Sequence, residues 1–295
     1  MILNVSGRTD IVAFYTPWFL NRLKEGFFDV RNPFNPKLVS RIYLEDVDAI
    51  MFCTKNPLPI IKHLKTINKP LLFHVTLTPY KEDIEPNVPS KTKVIEGIKE
   101  ISKMIGIDNV YVRYDPILLN EKYNITYHQK ALEKMCRLLE GYVSQIIVSF
   151  LDDYKNVRKN KNILKAKELT KEDFKKIGLS FSKIVQKYNM TIQTCFEEET
   201  LIEYGFIKGE CFSKEMAYKL TGKEYKKWTA RKGNKCECVS MVDIGTYNTC
   251  HHFCKYCYAN YDEKNVEQNI KQHDPKSSLL IGHLKEDDRI IRRLK

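Results

Sequence analysis

The 295-residue chain has no apolar run approaching the roughly twenty residues that a membrane-spanning helix needs, and its mean hydropathy is -0.42. A helical membrane protein is excluded, and no membrane partner is expected. The opening MILNVSGRTD lacks a basic segment followed by an apolar stretch, so no secretion signal is expected and a cytoplasmic location is. No internal repeat and no low-complexity linker interrupts the chain. It reads as one domain over 1–295, with an irregular insert at 196–238 and a polar tail at 262–295 that wraps it. An apolar fraction of 43% suffices for a sizeable core.

Nine cysteines are too few for a disulfide scaffold of this length and too many for an ordinary cytosolic enzyme. Cys53 and Cys136 lie in apolar settings (AIMFCT, KMCRLL) and read as buried filler. The other seven crowd the last third, which in a reducing compartment points to metal or redox chemistry. The charge is also one-sided, 49 Lys+Arg against 37 Asp+Glu, a net +12. That admits a nucleic-acid partner, but the lysines are spread over helices and loops as on a solvated surface.

Short β-branched or apolar runs recur at Ile2–Ser6, Ala49–Cys53, Leu71–Thr76, Val110–Tyr114, Gln145–Phe150, Thr191–Cys195 and Val239–Ile244. Amphipathic stretches at Phe14–Glu25, Leu58–Thr66, Lys93–Met104, His128–Leu139 and Phe174–Tyr188 separate the first six. This alternation predicts an α/β fold with a parallel sheet, curled into a full or partial (β/α) barrel. Most of these strands end in polar residues: Ser6-Gly7-Arg8-Thr9-Asp10, Thr54-Lys55-Asn56, His74 and Thr76, Arg113-Tyr114-Asp115, Ser149 with Asp152, Cys195 with Glu197 and Glu198. Polar groups gathered at the carboxyl ends of strands predict an active-site face there.

Cys250-x3-Cys254-x2-Cys257 is the sharpest motif. Three thiolates within eight residues can hold three irons of a [4Fe–4S] cluster and leave the fourth iron open. S-adenosylmethionine can chelate such an iron through its amino and carboxylate groups, after which the reduced cluster cleaves its sulfonium to a 5′-deoxyadenosyl radical. No cysteine follows Cys257 to close that site. A zinc site using these cysteines with His251 or His252 is the competing reading. Cys195, Cys211, Cys236 and Cys238 form a second set, suited to an auxiliary [4Fe–4S] cluster or a structural zinc.

The run DIGTYNTCHHFCKYCYAN, with SGRTD, MFCTKNP, VRYDP and HDPKSSLLIG, resembles a bacterial and archaeal family of unknown function regarded as radical S-adenosylmethionine-like. Spore photoproduct lyase, with its YCYA-type motif, is a distant functional analogue. In such enzymes the cluster loop follows the first strand, so the resemblance implies a circular permutation in which Val239–Ile244 precedes Ile2–Ser6. It further implies S-adenosylmethionine contacts from Ser6, Gly7, Arg8, Asp10, His74, Thr76 and Tyr256. Arg113, Asp115 and Lys55 become catalytic candidates, and a flavodoxin or ferredoxin the electron donor. The substrate is unidentified, a small molecule or a nucleic acid. Plainer roles compete: an Arg113–Asp115 rim salt bridge, a core His74, a helix-capping Lys55-Asn56. The alternative function is a non-enzymatic, zinc-binding nucleic-acid protein.

Overall fold

A computed structural model of the protein describes residues 1–195, 197, 201–207, 209–227 and 238–294. Cys236 and Glu198 therefore lie outside the described residues. The strands in chain order are β1 (Ile2–Val5), β2 (Phe27–Asn32), β3 (Asn35–Tyr43), β4 (Ala49–Thr54), β5 (Leu71–Thr76), β6 (Val110–Ile117), β7 (Gln145–Phe150), β8 (Thr191–Thr194), β9 (Met241–Asp243) and β10 (Arg289–Arg292). Seven form one parallel sheet in the order β8-β7-β6-β5-β4-β1-β9. The chain's last strand of this sheet lies beside its first, with Ile2 opposite Met241 and Asn4 opposite Asp243.

From β1 to β8 the strands of this sheet follow one another in chain order and the helices between them pack on one face, whereas β9 lies at the opposite edge and the helix before it packs on the other face. Leu3, Val5, Ile50, Phe52, Phe73, Val75, Val112 and Val148 share a core with Ile98 and Ile101 of the helix Lys91–Ile105, Leu132 of Ile125–Leu139, and Phe181 of Lys171–Lys187. These helices form where the periodicity predicts because each has a side-chain cap. Ser90 accepts from Lys93 N, Asn124 from Tyr127 N, and Thr170 builds a capping box with Asp173. Side chains alternate along a strand, so the intervening residues face the other way. On that second face Ile2, Ala49, Met51, Leu72, Tyr111 and Ile147 pack against Phe212 and Ala217. Farther along the same strands come Asn4, Cys53, His74, Thr76, Arg113, Asp115 and Ser149, which line an open cavity.

Several expectations need correction. The helix expected at Phe14–Glu25 starts at Thr16, where Pro17 favours its first turn, and a separate turn of helix, Ile11–Phe14, precedes it. Leu58–Thr66 is one turn of helix and a separate 3-10 turn. The insert is not wholly irregular, because Ser213 caps a helix at Lys214–Thr221 that buries Ala217. Cys53 is not filler: it is half-buried and borders the cavity, 3.5 Å from Asn4 Oδ1, whereas Cys136 is a core residue. A second sheet, β10-β3-β2, went unforeseen; its third strand comes from the far end of the chain.

The segment after residue 262 forms the helix Glu263–Lys271, crosses Thr16–Glu25, and ends as β10 along β3. Trp18 anchors the crossing: it is fully buried, and its Nε1 donates to Ser277 O at 2.9 Å. Asn21 and Arg22 donate to the carbonyls of Pro275 and Lys276. Replacing Trp18 by Ala removes a large buried ring and the Ser277 contact together. It is expected to cost about 3–5 kcal/mol in thermal unfolding and to speed proteolysis at residues 275–282. A variant as stable as wild type would show that the tail is not held this way.

Candidate functional site

A cavity of about 610 Å³ opens at the carboxyl ends of the sheet strands. Of the described residues, the candidate cysteines, cofactor contacts and catalytic residues named from the sequence all border it, as does His252, but His251 does not, and Cys236 is not among the described residues. One side carries the loop of Cys250, Cys254 and Cys257, and the floor carries Cys195, Cys211 and Cys238. The strand-end polar groups lie between.

The cysteine loop is closed on itself. Asn248 N donates to Ala259 O at 2.9 Å, and the Asn260 amide reaches back to Cys250 O at 2.7 Å. Asn248 and Phe253 take positive φ, which lets the chain turn tightly enough to aim three cysteines at one space. Asn156 and Asn160, from the loop after β7, donate to the carbonyls of Cys257 and Lys255 and fasten the loop from outside. Burial pushes all three thiols up, and in Cys250 the nearby Asp10, Cys257 and Cys254 push further. Three mutually close, buried soft donors suit an iron–sulfur cluster, whose irons offset the charge that the apolar setting penalises. Among the described residues no group of three Cys, His, Asp or Glu side chains is arranged around a single ion.

Opposite the loop, SGRTD is organised by Asp243 at the end of β9. Its carboxylate accepts from Ser6 Oγ at 2.8 Å, Gly7 N at 2.6 Å, Arg8 Nε at 3.1 Å and Gly245 N at 2.7 Å. Tyr258 donates its hydroxyl to the Gly7 carbonyl. Gly7 is held so closely that an added Cβ would meet Asp243 Oδ2 at 3.2 Å. Asp10, expected to attract a ligand ammonium, is instead saturated internally. It accepts from Ala13 N, Thr54 Oγ1 and Lys55 N, and His252 Nε2 lies 2.9 Å away. Through Asp10, His252 thus ties the cysteine loop to the segment after β1 and to the end of β4.

Lys55 faces the cavity from the end of β4. Its Nζ lies 2.8 Å from Glu85, which also binds Lys91 Nζ at 2.5 Å, Thr78 Oγ1 at 2.6 Å and the Tyr256 hydroxyl. Burial opposes ionisation of Glu85, but the two lysines hold its carboxyl far below the usual range. Burial lowers and Glu85 raises Lys55, with a net rise. Glu85 and Asp243 were not singled out from the sequence, since an acidic residue in a polar loop or at a strand end carries no spacing signal.

Arg113 and Asp115 form the rim ion pair, with N···O 2.6 Å, and Ser149 donates to the same carboxylate. Arg113 also reaches Cys195. His74 is buried against Tyr111, and burial pushes its imidazole down to about 4. Thr76 stands half-buried at the β5 terminus.

Two measurements test this arrangement. Glu85→Gln leaves two buried cations short of their counter-charge and should cost roughly 3–5 kcal/mol. Because the folded Glu85 pKa is depressed, its contribution is present above the unfolded value of about 4.3 and lost as pH falls toward the folded value. The acid limb of stability against pH should therefore be shallower in Glu85→Gln than in wild type; parallel limbs would refute the ion cluster. Second, a Cβ at Gly245 would lie 1.9 Å from Ser6 Oγ and 2.9 Å from Ser6 Cβ. Gly245→Ala should lower stability by about 1–3 kcal/mol, and adding Ser6→Gly should recover part of the loss in the melting temperature.

No curated protein matches the chain. Residues 2–259 match the model of a family described as a domain of unknown function, DUF1848, whose extent includes the sheet, the SGRTD segment and all the candidate cysteines, and the chain belongs to that family.

Proposed function

We propose that this protein is a radical S-adenosylmethionine enzyme built on a circularly permuted partial barrel, acting on a substrate not yet identified. The observation that carries the reading is the meeting of Cys250, Cys254 and Cys257 with the SGRTD segment and the strand-end polar groups around one cavity. The succession of β1, β4, β5, β6, β7 and β8 across the sheet, with the helices between them on one face, supports the barrel, because right-handed crossovers in sequence put those helices on the same side. The pairing of β9 with β1 supports the permutation.

Cys250, Cys254 and Cys257 would hold the [4Fe–4S] cluster. When bound, it supplies the electron that cleaves S-adenosylmethionine to a 5′-deoxyadenosyl radical. The chain's own residues bind and orient. Asp243 fixes the backbone of Ser6, Gly7 and Arg8 as an edge for the methionine moiety. Tyr256, pinned by Glu85, and Lys55, 5.4 Å above its ring, form the wall beside Cys254. Arg113, already paired with Asp115, orients substrate at the far wall more readily than it binds a free carboxylate. A flavodoxin or ferredoxin is the expected electron donor.

Anaerobic reconstitution with iron and sulfide, reduction, and assay for 5′-deoxyadenosine test the reading. Wild type should release 5′-deoxyadenosine, and Cys250→Ala, Cys254→Ala and Cys257→Ala should each abolish it. Retained cleavage in any of the three would sink the assignment. A colourless protein that takes up zinc at these cysteines would favour the non-enzymatic alternative.

A further inference from the structure

The cavity also gathers donors outside the three-cysteine loop, among them His74, for which the resemblance implied a cofactor contact. Cys211 Sγ lies 3.1 Å from Cys238 Sγ, and Cys195 hydrogen-bonds Cys211. Val239 N donates to Phe212 O at 3.1 Å and so holds the two flanking cysteines side by side. Beside them stands His74, only 1% exposed, with an Nε2 that has no hydrogen-bond partner. Its ring borders the same cavity and lies close enough to Cys211 for the two to interact electrostatically. A buried imidazole nitrogen left without a partner is costly and calls for a ligand.

We propose that Cys195, Cys211, Cys238 and His74 Nε2 form a tetrahedral zinc site, separate from the cluster cysteines. This inference does not depend on the radical reading. Three thiolates and one imidazole are a common closed zinc set, with Zn–S near 2.3 Å. Tetrahedral ligands at that distance put sulfurs about 3.8 Å apart, so Cys211 and Cys238 part by roughly 0.7 Å on binding. Among the described residues no three donors stand in single-ion geometry in this structure. Three thiolates with Zn²⁺ leave one negative charge, and Arg113, which reaches Cys195, answers it. The donors come from the end of β8, from β5 and from both sides of the helix Lys214–Thr221, so the metal staples that helix onto the sheet. Cys236, grouped with these thiols by sequence, lies outside the described residues, and the four donors named complete a tetrahedral shell without it.

The test uses the full chain, stripped with chelator and titrated with Zn²⁺ or Co²⁺. Wild type should take up one zinc beyond any iron and, with Co²⁺, show a thiolate charge-transfer band with intense tetrahedral absorption. Its melting temperature should fall on chelation. His74→Ala and Cys211→Ser should weaken metal binding by more than the ~100-fold that loss of an outer-shell partner costs, while Cys236→Ala should bind as wild type does. Alkylation mapping of the zinc-loaded wild type, which needs no variant to fold, should find Cys195, Cys211 and Cys238 protected and Cys236 modified. Metal lost in Cys236→Ala but kept in His74→Ala, Cys236 protected alongside the other three, or no charge-transfer band in wild type would each overturn the proposal. Cleavage of S-adenosylmethionine is scored separately, so either idea can fail alone.

Discussion

Asp243 joins the two ends of the chain at the site. It closes β9, the last strand of the main sheet, and its two carboxylate oxygens collect Ser6, Gly7, Arg8 and Gly245, with Asn4 Nδ2 at 3.2 Å. Without those bonds the parallel pairing of β1 and β9 rests on only three residue pairs. The cysteine loop begins just after Asp243, so its position relative to SGRTD depends on the same carboxylate. Side-chain bonds to backbone N–H groups that no strand or helix satisfies are the cheapest way to hold two adjoining loops in fixed register.

The cavity is polar on a face that starts apolar. Near the amino ends of the strands, Ile2, Met51, Leu72 and Ile147 are sealed by Phe212 and Ala217. Toward the carboxyl ends the same alternation delivers Asn4, His74, Arg113 and Asp115 instead. Buried charges there come in pairs or larger groups: Arg113 with Asp115, and Lys55 and Lys91 with Glu85. Breaking one member leaves an uncompensated charge in a weakly hydrated place, so these groups act as a rigid frame. Asp10 and His252 extend that frame to the cysteine loop from below.

The parallel α/β class and all seven main strands were legible from sequence because buried strands are short apolar runs, six of them between amphipathic helices, a local pattern. The grouping of strand-end polar residues was legible for the same reason: period-two alternation and a shared strand direction put residues such as Thr76, Asp115 and Ser149 at one end of the sheet. The three-cysteine motif was legible as spacing alone. Less local features were hidden. The hairpin β2–β3 is completed by β10 from the far end of the chain, and the helix Lys214–Thr221 has a single fully buried side chain.

By itself, then, the sequence determined which candidate residues stand together at the strand ends and which strand each one ends. Only the tertiary structure decided what those residues touch. Asp10 proved to be a knot between loops, Cys53 a cavity residue and Glu85 the anchor of Lys55 and Tyr256. The physical reason is that periodicity and capping act over a few residues, whereas a buried carboxylate takes its partners from whichever segments the fold brings within hydrogen-bond reach. In Asp243 those partners lie up to 239 positions away.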